Sequence, residues 1–271
     1  MNLLYNVGKG SEKRPAMVSL CYKGNPDLDS YTALVGKGII YDTGGLNIKP
    51  TGGMEPMYLD KCGASAVFAT MKAIATLGLK VNVVAALALA ENSVSGSAYR
   101  PSDIIESMKG ITVEIGNTDA EGRLAMASAM TWVQREYKVH TLIQLATLTG
   151  AILVALGKRI GGLFSNSDEL SAKLTASTTA FNEPLWRLPI PEEVAEGMEG
   201  KVSDAININR AVGCGSGSAA AFLRLFIEEG VEWAHLDIAG SSVAWTNYGN
   251  FNQYGATGFG VGLLLEYFSK L

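Results

Sequence analysis

The chain alternates between short apolar runs and segments in which apolar residues recur every three or four positions. Runs rich in Val, Ile, Leu and Ala are typical of strands that are buried inside a sheet. We therefore predict buried strands over residues 16–22, 32–35, 81–90, 111–115, 141–146 and 233–238.

The second pattern predicts helices. Between residues 60 and 77, apolar side chains recur every three or four positions and therefore share one helix face. They are Ala64, Val67, Phe68, Met71, Ile74 and Leu77. Further helices are predicted over residues 124–137, 218–229 and 258–270, and residues 182–193 are interpreted as a connection.

Strands that alternate with helices favour an α/β fold. We predict a three-layer α/β/α sandwich in which helices cover both faces of a mostly parallel, mixed central sheet. No linker divides the chain, so residues 1–271 are expected to form one domain. Ligands of such folds bind at the carboxyl ends of the strands, so chemistry is expected after residues 35, 90, 115, 146 and 238.

Composition narrows the class of protein. A chain of 271 residues, 48% hydrophobic and 18% charged, can bury a large core and is not typical of disorder. A net charge of −4 and the absence of Lys/Arg runs disfavour nucleic-acid or membrane partners. The N-terminus lacks the apolar core of a secretory signal, and Cys21, Cys62 and Cys214 are too widely spaced for a disulfide framework. We expect a cytoplasmic protein.

Several familiar motifs can be rejected. VGKG, at residues 7–10 and 35–38, lacks the frame of a phosphate-binding loop, and GCGSGS at 213–218 is interpreted as a flexible loop. There is no H-E-x-x-H, and two histidines cannot form a zinc site by themselves. We expect His140 at the start of a strand and His235 as a hydrogen-bonded core histidine.

Charged residues gather instead at the predicted strand ends. GNTDAEGRL, at residues 116–124, joins a predicted strand to a predicted helix and carries two acids and a base. The wider set comprises Lys37, Asp42, Lys49, Asp60, Asp119 and Glu121. Acids placed so close together repel one another, and divalent metals held by shared carboxylates would offset that repulsion and activate water. Zinc, manganese, magnesium and cobalt all suit such ligands.

Each residue also has a simpler interpretation when taken singly. Asp119 and Asp60 could cap the helices that follow them, because acids favour the first turn. Lys49 could be a surface lysine that precedes Pro50. The joint occurrence of six such residues at strand ends favours the metal site.

The chain resembles the leucine aminopeptidase (cytosol aminopeptidase) family of dinuclear metallo-exopeptidases. The resemblance is carried by NTDAEGRL and, in the same order as in the family, by VGKG, YDTGGLNIKP, the Asp of MYLDKCG, ENSVSG, RPSD, ATLTGA, WAHLDIAG and ATGFG. These blocks cover essentially the whole chain. The resemblance implies a metal-dependent aminopeptidase that releases leucine-like residues from peptides with a free N-terminus, through water or hydroxide activated by two metals.

The resemblance also implies a ligand set. Asp42, Asp119 and Glu121 are expected to hold one metal. Lys37, Asp42, Asp60 and Glu121 are expected to hold the other, with Asp42 and Glu121 bridging. A lysine ligand must be a neutral amine, so its pKa must be depressed by burial and by the adjacent dication.

Two further roles follow from the same resemblance. Lys49 is expected to stabilise the oxyanion of the tetrahedral intermediate, and Arg123 to hold a bicarbonate ion that acts as general base. The pocket for the first side chain is expected to be lined by Met57, Asn117, Ala120, Thr147, Leu148, Gly150 and Ala239, although Met57 and Leu148 could be ordinary core residues.

Three features depart from the family. Its members usually carry an N-terminal domain, which is expected to be absent here, and they assemble as hexamers, which we expect to persist. Tyr58, Lys61 and Cys62 are unusual around Asp60; the charge of Lys61 could weaken the metal, and Cys62 is interpreted as a small buried residue rather than a soft ligand. Residues 241–254 are longer and more aromatic than usual, which suits a pocket wall, an oligomer contact or plain surface.

Two other functions remain open on the sequence. The first is a catalytically silent oligomeric scaffold with the same fold, although such a protein would not need clustered acids. The second is a dinuclear hydrolase of phosphate esters, for which Lys49 and Arg123 would be the available phosphate ligands.

Overall fold

The computed structural model of the chain describes residues 1–209, 213–244 and 255–271. Within these ranges, the strands of the central sheet are β1 (Ala16–Lys23), β2 (Tyr31–Asp42), β3 (Asn82–Asn92), β6 (Val139–Ala146), β7 (Gly161–Ser165), β8 (Leu185–Arg187) and β10 (Glu232–Asp237). Two smaller sheets are formed by β4 (Ile104–Glu106), β5 (Thr112–Glu114) and β9 (Ala205–Ile206), and by β11 (Val243–Ala244) with β12 (Gly255–Ala256).

The central sheet is mixed and mostly parallel. Its strand order is β1-β3-β2-β6-β10-β7-β8, and β3, β2, β6 and β10 run parallel to one another. β1 pairs antiparallel with β3, and β7 pairs antiparallel with β10. Because β2 and β6 lie side by side and parallel, their carboxyl ends meet at one edge of the sheet.

The described helices are α1 (Asn2–Gly8), α2 (Cys62–Leu77), α3 (Glu121–Glu136), α4 (Gly150–Leu156), α5 (Asp168–Ala176), α6 (Glu192–Glu196), α7 (Gly215–Arg224) and α8 (Val261–Ser269), with a 3₁₀ helix over Glu55–Leu59. Among them, no helix combines the length and apolarity needed to cross a bilayer.

Helices cover both faces of the sheet, as predicted. Side chains alternate between the faces of a strand, so neighbouring residues enter different cores. Val35 of β2 packs in a core with α1, α3 and α7, whereas Leu34 packs in a second core with α2, α5 and α8. The three-layer sandwich is therefore confirmed.

Glycines allow α2 to begin directly against the strand ends. A Cβ on Gly63 would lie 2.1 Å from the carbonyl oxygen of Leu145, and a Cβ on Gly36 would lie 2.5 Å from Cα of Ala64. Larger residues would push the helix away from β2 and β6. This close approach brings Asp60, just before the helix, to the carboxyl edge of the sheet.

Several predicted boundaries were wrong. β2 continues to Asp42 rather than ending at residue 35, because Gly36, Lys37 and Gly38 keep pairing with β3 after the apolar run has ended. The strand predicted over residues 111–115 lies in a small separate sheet, not the central one.

The remaining corrections concern connections. Residues 182–193 contain β8 and the start of α6 rather than a plain connection. Helix α7 begins at Gly215 and ends at Arg224, so GCGSGS is partly helical rather than a flexible loop, and the helix stops short of residue 229. Of the aromatic segment 241–254, residues 245–254 lie outside the described part of the chain.

Candidate metal centre

The predicted charged residues come together at the carboxyl edge of the sheet. Lys37 and Asp42 lie in β2, and Lys49 lies in the connection that follows it. Asp60 follows the 3₁₀ helix, Asp119 precedes α3, and Glu121 is the first residue of α3. All six residues line one cavity together with Arg123. The sequence placed Lys37 and Asp42 in a connection and Glu121 before its helix; the structure places them within β2 and α3.

Three of the acids form a group with the geometry of a metal site. Oxygens of Asp42, Asp119 and Glu121 all lie within 4.8 Å of one another. Asp42 and Glu121 are each 1% exposed. These are the three residues that the resemblance assigns to one metal.

Lys37 is a buried ammonium surrounded by acids. Its Nζ lies 2.8 Å from Asp60 Oδ2 and 2.8 Å from Glu121 Oε1, and it donates to the carbonyl oxygen of Thr147 at 3.0 Å. Burial alone would lower the pKa of Lys37, but the charges of Asp60, Glu121 and Asp42 outweigh it and raise that pKa. Without a metal, the ammonium supplies the positive charge that a divalent ion would supply, and a metal ligand role would require loss of its proton.

Lys49 offsets the negative charge of Asp42 and Asp119. Its Nζ lies 3.0 Å from Asp42 Oδ2 and 2.6 Å from Asp119 Oδ1, and its side chain is only 15% exposed. Burial opposes its charge, but the neighbouring carboxylates win and raise its pKa. Lys49 is therefore a charged member of the site and not a surface lysine.

The two lysines each pair with two of the four acids. Lys37 Nζ contacts Asp60 Oδ2 and Glu121 Oε1, and Lys49 Nζ contacts Asp42 Oδ2 and Asp119 Oδ1, so two ammonium groups balance four carboxyl groups. Burial raises the pKa of Asp60 well above its usual range, with Glu121 and Asp42 adding to the effect of burial and Lys37 opposing it. Burial and the same two acids raise the pKa of Asp119 to about 6. Carboxylate oxygens that converge in this way fit divalent cations.

The capping interpretation of the two aspartates is wrong. The N-cap of α3 is Ala120 and that of α2 is Lys61, and neither helix start has a side-chain cap hydrogen bond. Asp119 and Asp60 therefore face the cavity and not the helix ends.

Arg123 lies in the first turn of α3 and is 7% exposed. One guanidinium nitrogen, Nη1, donates to the carbonyl oxygen of Asn207 at 2.7 Å, whereas Nε has no partner among the described residues. Burial lowers the pKa of Arg123 to about 10, although Glu121 and Asp237 favour its charge. A buried, charged arginine with a free donor is suited to hold an anion.

The same cavity, with a volume of about 520 Å³, brings together the predicted pocket residues. Its wall includes Met57, Asn117, Ala120, Thr147, Leu148, Gly150 and Ala239. Residues that the sequence did not single out also line it, namely Pro56, Leu59, Thr149, Ala151, Leu153, Ile208, Gly215, Ser242 and Val243. Many of these side chains are apolar or small.

Asn92 is a supporting residue that sequence reasoning missed. It is fully buried at the end of β3, and its Nδ2 donates to Asp42 Oδ1 at 2.8 Å and to the carbonyl oxygen of Thr118 at 3.1 Å. Tyr99 donates to the same carbonyl oxygen at 2.5 Å. These bonds orient Asp42 and the backbone just before Asp119. The signal for Asn92 in the sequence is a polar residue two positions after the buried run that ends at residue 90.

The unusual residues beside Asp60 do not join the cluster. The ammonium of Lys61 donates to the carbonyl oxygens of Ile40 and Tyr58 on the exposed side of the chain. Cys62 is half-buried, burial raises the pKa of its thiol, and it is not part of the metal-ligand group found in the described residues.

The two histidines lie away from the acids. His140 is the second residue of β6, as predicted. His235 is a core residue in β10 and stacks on Phe164, but neither of its ring nitrogens has a hydrogen-bond partner among the described residues. The expectation of a hydrogen-bonded histidine was therefore wrong: the ring stacks on Phe164, and the side chain of Gln144, opposite it on β6, also lacks a partner among the described residues.

Comparisons with known proteins agree on one family. A family model described as "Cytosol aminopeptidase family, catalytic domain" matches residues 1–265. A probable cytosol aminopeptidase of Rickettsia bellii is 45% identical over 100% of this chain and 54% of its own length. The cytosol aminopeptidase of Rickettsia prowazekii is 44% identical over the same shares. The chain thus spans about half the length of these relatives.

Two solved structures are similar to almost the whole chain. The bottromycin maturation enzyme BotP in complex with Mn is 37% identical, with a TM-score of 0.92 over 99% of this chain and 59% of that one. A second structure of BotP is 36% identical with a TM-score of 0.90. The similarity therefore extends from the sequence blocks to the backbone of the whole described fold.

Proposed function

Because this chain belongs to the cytosol aminopeptidase family, we propose that it is a metal-dependent aminopeptidase that releases leucine-like residues from the N-termini of short peptides. The observation that carries the proposal is the cluster of buried Asp42, Asp60 and Glu121 with half-buried Asp119, all of which line one cavity. A fold gains no stability by burying acids that repel one another, so the cluster is explained best by a ligand that needs them.

We propose that two divalent ions bind at these acids. Asp42, Asp119 and Glu121 would hold one, and Lys37, Asp42, Asp60 and Glu121 the other. Bound ions would polarise the scissile carbonyl, lower the pKa of water and offer a ligand position for a free amino group. The converging oxygens of Asp42, Asp119 and Glu121 and the Mn present in the related BotP structure support this assignment. Zinc, manganese, magnesium and cobalt all remain candidates.

Two basic residues are proposed to act on the reacting atoms. Lys49 stays charged beside Asp42 and Asp119, and its ammonium opens on the cavity, where it can stabilise an oxyanion. Arg123 has a buried Nε with no partner within the described part of the chain, and this N–H can hold a bicarbonate ion that acts as general base. In this arrangement the lysine stabilises negative charge, and the arginine places the group that accepts the proton.

The pocket supports a preference for a medium-sized apolar first residue. Met57, Leu148, Gly150 and Ala239 contribute apolar or small surfaces beside the acids. A leucine side chain in such a pocket leaves water, and each buried methylene contributes about 0.8 kcal/mol. Discrimination against glycine should therefore be large and discrimination against methionine small.

The test is hydrolysis of leucyl amide by the purified chain with added metal, beside Asp119→Ala, N-acetyl-leucyl amide and a generic phosphodiester. The proposal predicts activity on leucyl amide that Asp119→Ala abolishes while the circular dichroism spectrum is kept. It also predicts no activity on the acetylated substrate, which lacks the free amine. A fully active Asp119→Ala, or activity on the phosphodiester alone, would refute the proposal, and a folded, metal-loaded but inactive chain would favour a silent scaffold.

Assembly and location are also proposals. We propose a homohexamer in the cytosol, in line with the expectation from the family and with the name "cytosol aminopeptidase" of the relatives. Multi-angle light scattering should give six times the mass of 28.6 kDa. A monomer at every concentration would contradict the assembly.

A further inference from the structure

Asp237 is a buried acid that the proposed chemistry does not use. It ends β10, next to β6 in the sheet, and is 0% exposed. Its Oδ1 accepts from the backbone N–H of Leu148 at 3.2 Å and of Ala239 at 3.3 Å. Its Oδ2 accepts from the hydroxyl of Thr149 at 2.6 Å, and the backbone N–H of Thr149 also donates to the carboxylate. The donors come from two separate connections, and both connections line the cavity.

Thr149 extends this network into two helices. Its hydroxyl oxygen accepts from the N–H of Ile152 at 3.2 Å, which caps α4. The same hydroxyl lies 2.7 Å from Ser216 Oγ in α7. A threonine hydroxyl has one proton, and here it goes to Asp237, so Ser216 must be the donor to Thr149. One carboxylate therefore sets the direction of every bond in the chain of hydroxyls.

The connection after β6 is fixed at its other end by the metal centre. The hydroxyl of Thr147 donates to Asp60 Oδ1 at 2.6 Å, and its carbonyl oxygen accepts from Lys37 Nζ at 3.0 Å. Thr147 thus belongs to the metal end of this connection. Leu148 and Thr149 belong to the end held by Asp237. A change at Asp237 should therefore move the pocket wall and leave the acids in place.

We infer that Asp237 is a positioning residue that holds Leu148, Thr149 and Ala239 in the geometry of the pocket for the first side chain, and so sets its selectivity. The inference rests on the proposed function, since it concerns the substrate of that site. Burial raises the pKa of Asp237 to about 6, so its carboxylate is ionised above neutral pH and can accept on both oxygens.

Asp237→Asn tests the role with little change of shape. An amide has one acceptor and one donor end, so either the two backbone N–H groups or the hydroxyl of Thr149 would face an N–H group. Thr149→Val is a second variant, which removes the hydroxyl and keeps the carboxylate with its backbone donors. Asp204→Asn is the matched control, because Asp204 also accepts from a threonine hydroxyl and a backbone N–H, those of Thr112, but lies on the exposed surface.

The readout is kcat and KM for leucyl amide and glycyl amide, measured with metal-loaded protein, together with metal affinity by calorimetry. We expect both site variants to lower the leucyl-to-glycyl ratio of kcat/KM about tenfold, chiefly by raising KM for leucyl amide, as loss of one charged hydrogen bond implies. Metal affinity should not change. The control should match the wild type in every measurement.

Two patterns in the kinetic data would contradict the positioning role of Asp237. An equal loss for both amides, or an unchanged ratio in both site variants, would overturn the positioning role, because a merely structural residue scales all activity together. If Asp237→Asn does not fold, Thr149→Val decides the question alone. If the wild-type chain itself hydrolyses neither amide, the proposed function fails and the selectivity claim falls with it.

Discussion

Replacing Asp119 by Asn should stabilise the metal-free protein. Burial and the charges of Glu121 and Asp42 raise the pKa of Asp119 from 3.8 to about 6. A shift of about two pKa units corresponds to about 3 kcal/mol. Its side chain is 33% exposed, so solvent screening reduces this figure, and we expect a gain of about 1–2 kcal/mol at pH 7.5.

The gain in folding stability from Asp119→Asn should decrease as pH falls. The folded-state pKa lies above the unfolded value, so between pH 3.8 and 6 the folded state binds more protons, and stability is lost as pH rises. Asn cannot ionise and escapes this loss. The advantage of Asp119→Asn should therefore be complete at pH 7.5, about half as large at pH 5, and about a fifth as large at pH 4.

Urea unfolding in the presence of a chelator measures the effect. With a slope of about 3 kcal/mol per molar, the midpoint of Asp119→Asn should rise by about 0.3–0.7 M at pH 7.5. Added manganese should reverse the order, because it stabilises the wild type and binds the variant weakly. Asp204→Asn is the control and should gain nothing, since its hydrogen bonds from Thr112 lower the pKa of Asp204. A variant that is less stable at pH 7.5, or a gain independent of pH, would refute the reasoning.

Three further predictions concern neighbouring residues. Gly122→Ala should weaken binding of the metal assigned to Lys37, measured by calorimetry, because its Cβ would lie 2.5 Å from Cε of Lys37 and displace that side chain, although alanine is otherwise the better helix former. Asn92→Ala should weaken metal binding by about 10–100-fold in the same measurement, because it removes the hydrogen bond that orients Asp42. His235→Leu should make the protein less sensitive to acid. Burial and the charge of Arg123 lower the pKa of His235 to about 3 in the folded protein. The wild type therefore loses folding stability as pH falls below 6.5, by about 2 kcal/mol at pH 5, and the variant does not.

Matched variants separate these effects from general damage. Gly96→Ala adds a Cβ that meets nothing within 4 Å and should leave metal binding unchanged. Asn6→Ala, on the exposed face of α1, should likewise retain full metal affinity. For His235→Leu, urea midpoints at pH 7.5 and pH 5 give the answer, and an equal drop in variant and wild type would contradict the buried neutral histidine.

The fold class followed from hydrophobic periodicity, but the ends of its elements did not. The run at residues 32–35 ends at Gly36, and only the pairing with β3 shows that the strand continues to Asp42. Helix α4 was missed, because GAILVAL is short and apolar and cannot be distinguished from a strand by periodicity. The long, strongly periodic helix α2 was predicted to within two residues at its start.

The charged cluster could be predicted because its chemistry is unusual for a protein interior. Six charged residues among glycines at strand ends need a common explanation, and the structure brings all of them to one cavity. Asn92 and Asp237 were not predicted as supports. Both residues end a buried strand. Their hydrogen-bond partners, Thr118 for Asn92 and Leu148 for Asp237, are distant in the sequence, so these bonds depend on three-dimensional packing.

The central claim is that bound divalent metal makes this chain an aminopeptidase. The most direct measurement is hydrolysis of leucyl amide by chelated protein as manganese, zinc, magnesium or cobalt is titrated back, with bound metal counted at each step. We predict no activity without metal, and activity that rises to a plateau as two ions bind per chain. Full activity in metal-free protein, or saturation with metal and no hydrolysis by a folded chain, would contradict the account.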